Sequence, residues 1–288
     1  MENILELQQV SKTFPKSNFT LENVTFSLPY GAILGFVGEN GAGKTTTIGC
    51  ILNTIAKDSG TITLFGQEML DEDTSLRERI GVVYDGDNFP TYWTAKQLSK
   101  IMKGFYTQWD SSLFQKYLED FHLPTNQEIK HYSRGMTMKL AIATALAHHP
   151  ELLILDEATS GLDPIVRDEM LDVFLEFVQE ENHSILLSSH ITSDLEKVAD
   201  YITFIHNGRL IMTASKNDLV YNYAVMRCKE SQFLAIDPKD ILAYRKRDFQ
   251  IDVLVSNGKE AQKKYKDVVV DHTSVDEIML LLVKGERI

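Results

Sequence analysis

The sequence predicts an α/β fold: a core with a mixed sheet, an inserted helical subdomain and a small α/β domain at the C-terminus. Three observations carry that expectation. The stretch GENGAGKTT, Gly38 to Thr46, follows an apolar, β-prone run at residues 33–37 and precedes a helix-like segment. Three more compact apolar runs, at residues 80–84, 152–155 and 184–188, read as buried strands separated by helical patterns. Past Ser215 the pattern changes to short elements with no glycine-rich loop, which divides the chain into residues 1–215 and 216–288.

The chain of 288 residues is long enough for one large domain or about two of ~150 residues. A net charge of −12 argues against a grip on a nucleic-acid backbone, which needs a basic face. Cys50 and Cys228 are too few for a disulfide scaffold or a zinc cluster and read as small buried hydrophobes. The start, MENILELQQV, lacks the positive charge and apolar core of a signal peptide, and no run reaches the ~18 apolar residues of a membrane span. A soluble chain is therefore expected, one that acts at a membrane only through a partner.

Taken in order, residues 5–10 and 20–28 alternate as strands, with Phe14 between them. An aromatic there offers a face for an adenine ring, or packs within the loop. The loop itself meets G-x-x-x-x-G-K-[ST] at Gly38, Gly43, Lys44 and Thr45, with Glu39, Asn40, Gly41, Ala42 and Thr46 completing it. Its glycines let backbone N–H groups turn inward as an anion nest at a helix N-terminus. Lys44 can then reach the β- and γ-phosphates of a nucleotide, while the Thr45 hydroxyl can ligand Mg²⁺. A helix is expected over 45–56 and a strand over 61–65, and Asp85 follows the strand at 80–84 at its carboxyl end, where ligands of open α/β sheets sit.

Thr94-Ala95-Lys96-Gln97 fits a capping box, and a second amphipathic helix carries Leu113, Tyr117, Leu118 and Phe121 until Pro124 stops it. These helices mark the inserted subdomain, residues ~90–148. Ser133 is placed as an N-cap which, with Gly135, leaves first-turn N–H groups open to an anion. His148 and His149 are adjacent and read as imidazoles near the negative end of a helix. Leu152-Leu153-Ile154-Leu155 delivers Asp156 and Glu157 to the same sheet edge, Asp156 for the Mg²⁺ cluster and Glu157 to orient or deprotonate water. Asp163 caps a helix with Pro164 at its first position, and His190 arrives past the strand at 184–188, within reach of a γ-phosphate. Asn207-Gly208 signals a type I′ hairpin. In the C-terminal part, residues 224–228, 249–255 and 268–270 read as strands and 259–265 and 275–283 as helices, and the basic runs Arg245-Lys246-Arg247 and Lys263-Lys264 read as solvated faces.

In this order the motifs resemble the nucleotide-binding subunit of an ATP-binding-cassette transporter, over residues 5 to about 215. The resemblance implies a P-loop NTPase core with an antiparallel β subdomain, and ATP and Mg²⁺ as ligands. It makes Phe14 the adenine-stacking residue, GENGAGKTT the Walker A loop, Ile154 to Glu157 part of Walker B, Ser160 to Asp163 the D-loop and His190 the switch histidine. Tyr132 to Met136, YSRGM, resembles the signature whose usual form is LSGGQ; only Ser133 and Gly135 match, and Arg134 either adds a phosphate contact or faces solvent. Asp85 stands where the family usually has a glutamine that touches Mg²⁺. In such proteins two cassettes close head to tail around ATP, so a second nucleotide-binding subunit, most simply another copy, and an integral membrane permease are implied as partners. That places the chain on the cytoplasmic face of the cell membrane, with export the favoured direction. The competing reading is a soluble cassette ATPase acting on DNA or ribosomes; a binding module that senses ATP without turnover is disfavoured by Glu157 and His190.

Overall fold

The computed structural model describes residues 2–17, 19–68, 74–86 and 88–287. Three sheets organise it. The first is antiparallel, in the order β2-β1-β4-β5, from β1 (Asn3–Thr13), β2 (Thr20–Pro29), β4 (Ser59–Leu64) and the two-residue β5 (Gln67–Glu68). The alternating burial of β2 puts Leu21, Val24, Phe26 and Leu28 on the core face.

The second sheet carries the chemistry. Its order is β10-β9-β3-β8-β7-β6, from β3 (Ile33–Val37), β6 (Ile80–Tyr84), β7 (Leu152–Asp156), β8 (Ser184–Ser189), β9 (Tyr201–His206) and β10 (Arg209–Ser215). All pairs are parallel except β9 with β10. Buried on both faces, β3, β7 and β8 need continuous apolar runs, which the sequence supplies. The β9–β10 turn has positive φ at both Asn207 and Gly208, as a type I′ turn requires.

Helix α1 (Lys44–Ile51) follows the loop and stops short of the expected Ala56: its cap is at Leu52, and Asn53 enters the left-handed region. After α2 (Thr74–Glu78) come the helices of the inserted subdomain, α3 (Ala95–Phe105), α4 (Ser111–Asp120) and α5 (Arg134–Leu146). The capping box at Thr94 and Gln97 forms as expected. Leu98, Phe114, Leu118, Leu140 and Ala143 make the subdomain's own apolar cluster. His148 departs from the expected role at the end of its helix. It is buried, stacked on Tyr106 with ring centroids 4.0 Å apart, and its Nε2 lies 3.1 Å from the Ile80 carbonyl. Burial pushes its pKa down, so it is a neutral packing residue rather than a cation facing the dipole.

Beyond α6 (Pro164–Phe177) and α7 (Thr192–Val198), α8 (Lys216–Tyr221) leads into the third sheet, order β12-β13-β11-β14. It consists of β11 (Ala224–Cys228), β12 (Ala243–Lys246), β13 (Ile251–Val255) and β14 (Val269–His272), with α9 (Glu230–Phe233), α10 (Gly258–Lys264) and α11 (Val275–Lys284) around it. Val275, Ile278 and Leu281 of α11 share one apolar cluster with Leu195, Val198 and Ala199, so the core runs continuously from the nucleotide sheet into the C-terminal one. Phe249, expected within a strand, lies before β13 and is 95% exposed. The run at 245–247 is not a plain solvated face: Arg247 Nε stands 2.6 Å from the fully buried Asp252. A buried carboxylate requires such partners, and Arg227 at 3.2 Å and the Gln250 amide at 2.7 Å serve its other oxygen. Both cysteines are buried, as expected.

Candidate functional site: a phosphate loop and a carboxylate at one sheet edge

The hollow at the carboxyl edge of the second sheet holds about 340 Å³ and is lined by the loop residues Glu39, Asn40, Gly41, Gly43, Lys44, Thr45 and Thr46, with Phe19 and Glu157. Its shape follows from glycine at particular places. A Cβ on Gly38 would approach the Ile205 carbonyl to 2.4 Å, and Gly43, at φ 115°, forms the left-handed entry to α1. The loop is fixed from below, where Thr47 Oγ1 donates to the Gly43 carbonyl at 2.8 Å and the Gly208 N–H donates to the Ala42 carbonyl at 2.9 Å. The free N–H groups of the first turn of α1 therefore meet a preformed, anion-sized cradle.

Lys44 bends back over this loop. Its Nζ donates to the Gly38 carbonyl at 2.7 Å and lies 3.0 Å from Glu157 Oε1, with the two side chains 5% and 13% exposed. Glu157 Oε2 accepts from His190 Nδ1 at 2.6 Å. Thus the loop lysine, the acid after β7 and the histidine after β8 form one chain of charge-assisted contacts across three neighbouring segments. Glu157 takes φ 55°, a left-handed conformation that a non-glycine residue adopts at a cost and that turns its carboxylate toward the loop.

Asp156 sits one residue earlier, buried. Its Oδ2 accepts from Thr45 Oγ1 at 2.8 Å and its Oδ1 from Ser188 Oγ at 2.5 Å. In the sequence only its place at the end of a buried strand marks Ser188. Among the described residues no three acids, histidines or cysteines gather as a self-sufficient metal site. One hydroxyl and one carboxylate in contact fit Mg²⁺, an ion that keeps most of its shell as water and phosphate oxygen.

Not every expected residue joins this cluster. Phe14 is half-buried against Phe19, centroids 6.4 Å apart, and it is Phe19 that lines the hollow. A Cβ on Gly43 would meet the Phe19 ring at 3.0 Å, an approach made just before β2 that spacing along the chain does not announce. Asp85 does not meet Thr45 or Asp156; it pairs with Arg134 at 2.8 Å and lines a second hollow of about 510 Å³, so its expected metal contact finds no support in its partner. Ser133 is the N-cap of α5, accepting from the Met136 N–H at 3.2 Å, and Gly135 follows it, but neither lines the phosphate hollow.

Charge, shape and order of these groups suit binding of a nucleotide triphosphate and attack of water on its terminal phosphate. Known proteins agree. The family described as ABC transporter matches residues 21–160. The bacitracin transport ATP-binding protein BcrA of Bacillus licheniformis is 35% identical over 213 residues, 73% of this chain and 69% of that protein. The ABC transporter ATP-binding protein YtrB of Bacillus subtilis is 27% identical over 270 residues, 91% of this chain and 90% of that one. A solved ATP-binding subunit of an ABC transporter superposes with a TM-score of 0.68 at 27% identity, over 75% of this chain and 91% of that chain. The chain belongs to the ABC transporter family, as one of its ATP-hydrolysing, ATP-binding subunits.

Proposed function

We propose that two cassettes, most simply two copies of this chain, close head to tail over two ATP molecules, and that their closing and reopening drives a separate membrane permease in the direction of export. The observation that carries this reading is the separation of the two anion-binding helix starts. The start of α1 opens on the hollow with Lys44 and Glu157, whereas Ser133 and Gly135 at the start of α5 do not line it. One chain thus carries two half-sites, and a second chain completes each.

Within the site, the loop N–H groups and Lys44 bind the phosphates, Phe14 or its neighbour Phe19 takes the adenine face, and Glu157 accepts a proton from the attacking water. His190, already bonded to Glu157, orients that carboxylate and stands to contact the terminal phosphate. Mg²⁺ would be held by Thr45 and Asp156, where it would neutralise charge on the phosphate oxygens. Among the described residues no helix is long and apolar enough to cross a membrane, so the permease is a different chain or segment, engaged through the inserted helical subdomain. The relative named for bacitracin transport supports a role in transport.

The test is sedimentation of Glu157→Gln with and without ATP, together with affinity capture from solubilised membranes. An ATP-dependent dimer that recovers an integral membrane protein is expected. A monomer at saturating ATP would remove the two-chain reading, and ribosomes or DNA recovered in place of a membrane protein would favour the soluble alternative.

A further inference from the structure

Arg134 and Asp85 form a contact outside the phosphate hollow. The Arg134 guanidinium donates to Asp85 Oδ1 at 2.8 Å, with the two side chains 53% and 45% exposed. Arg134 is the first residue of α5, where a cation opposes the positive end of the helix dipole. Asp85, just past the carboxyl end of β6, supplies the negative charge that offsets it. The same guanidinium lies across Gly161: a Cβ built on that glycine would meet Arg134 Cζ and Nη1 at 2.7 Å. One side chain therefore ties three segments together, the end of β6, the start of α5 and the turn that follows Glu157. With Asp85 it lines the second hollow, whose other walls include Phe89, Tyr132 and Met138.

Both positions are those at which the sequence departs from the usual family pattern, aspartate for glutamine and arginine for glycine, and the two departures are opposite in charge. We propose that they are a single compensated exchange, in which Arg134 acts as a positioning residue for ATP turnover by fixing the start of α5 to the sheet edge through Asp85. This rests on the two-chain reading for its effect on turnover, because the start of α5 serves the partner's nucleotide there. Contact with the chain's own nucleotide is not required, since neither residue lines the phosphate hollow.

The experiment compares Asp85→Gln, Arg134→Gly and the double variant, which restores the usual pair. Each single is expected to lower kcat about two- to fivefold, the range of an exposed ion pair, with KM for ATP unchanged. The double variant should return kcat to near the wild-type value. Rising ionic strength should carry wild-type turnover toward that of the singles and leave the double unmoved, a response that packing alone would not produce. Amide hydrogen exchange at Gly135 and Met136, measured on the ATP-free chain, should quicken in each single and slow again in the double. The charge-reversed pair, Asp85→Arg with Arg134→Asp, offers a second route that keeps a long side chain across the gap. Effects of the singles that simply multiply in both doubles would overturn the proposal. Because exchange is read without a second chain, coupling there in a protein whose Glu157→Gln variant stays monomeric would sink the two-chain reading and leave the pairing standing.

Discussion

Glu157→Gln separates binding from turnover, and the structure says by how much. The Glu157 carboxylate lies 3.0 Å from Lys44 Nζ and 2.6 Å from His190 Nδ1, almost out of solvent. At an effective dielectric of about 20 the Lys44 attraction alone is about 5 kcal/mol gross, most of which desolvation cancels. A net of about 1–2 kcal/mol remains, between a neutral and a charge-assisted hydrogen bond in size. ATP must take Lys44 from this carboxylate and then bear its negative charge beside the terminal phosphate. Glutamine keeps the shape and surrenders the charge, so the variant should bind ATP roughly 5- to 30-fold more tightly. Turnover should fall about 10²–10⁴-fold, the loss expected when a positioned general base is removed. Equilibrium titration with a fluorescent ATP analogue and steady-state phosphate release measure the two sides. Hydrolysis within tenfold of wild type would remove Glu157 from the role of base, and weaker ATP binding would refute the account of Lys44 as held in reserve by Glu157.

Asp156→Asn, which keeps the side chain's shape but removes the negative charge offered to a cation and turns one of the two hydroxyl contacts, to Thr45 or Ser188, into a donated one, should raise the Mg²⁺ concentration for half-maximal ATPase about tenfold; an unchanged Mg²⁺ titration would contradict the assignment. Gly38→Ala must displace the Ile205 carbonyl or the loop, and is expected to lower ATP turnover about a hundredfold, as an ångström-scale misplacement does, with little change in far-ultraviolet circular dichroism. His148 is buried with its pKa lowered, so the unfolded chain binds the extra proton and stability falls as pH drops below the ordinary value of 6.5. Its contribution is a loss of up to about 1.4 kcal/mol per pH unit until the folded-state pKa is reached, and urea unfolding of His148→Gln between pH 7.5 and 5.5 should show a flatter slope than wild type. Arg227→Ala breaks contacts to Asp252, Asp271 and Glu277 and should cost about 1–3 kcal/mol in thermal unfolding while leaving the ATP affinity of the chain intact.

What could be read from the sequence divides along physical lines. The nucleotide sheet was legible because its strands are buried on both faces, which demands unbroken apolar runs, and because a phosphate cradle demands glycines at fixed intervals before a helix. Residues 33–37 and 80–84 form strands over the ranges expected, and Glu157 and His190 meet because parallel strands deliver their ends to one edge. Local chemistry at helix ends was equally readable: Thr94, Ser133 and Asp163 cap as their types predict. Contacts between segments far apart in sequence were not. Arg134 finds Asp85 across 49 residues, and Ser188 finds Asp156 across 32, with no periodic signal to announce either pair. The C-terminal sheet was half legible for the same reason. Its β11 and β13 are apolar runs, whereas β12, with Tyr244, Arg245 and Lys246, is a polar edge strand that reads as a basic run until its pairing with β13 is known. Charge read along the chain therefore misleads where charges serve as tertiary connectors. Arg247 looks solvated and holds a buried aspartate, and Arg134 looks like a lapse in a glycine-rich motif yet bridges two subdomains. In this chain the residues that depart from the expected pattern are placed where segments must be held in register, and their meaning lies in the partner rather than in the motif.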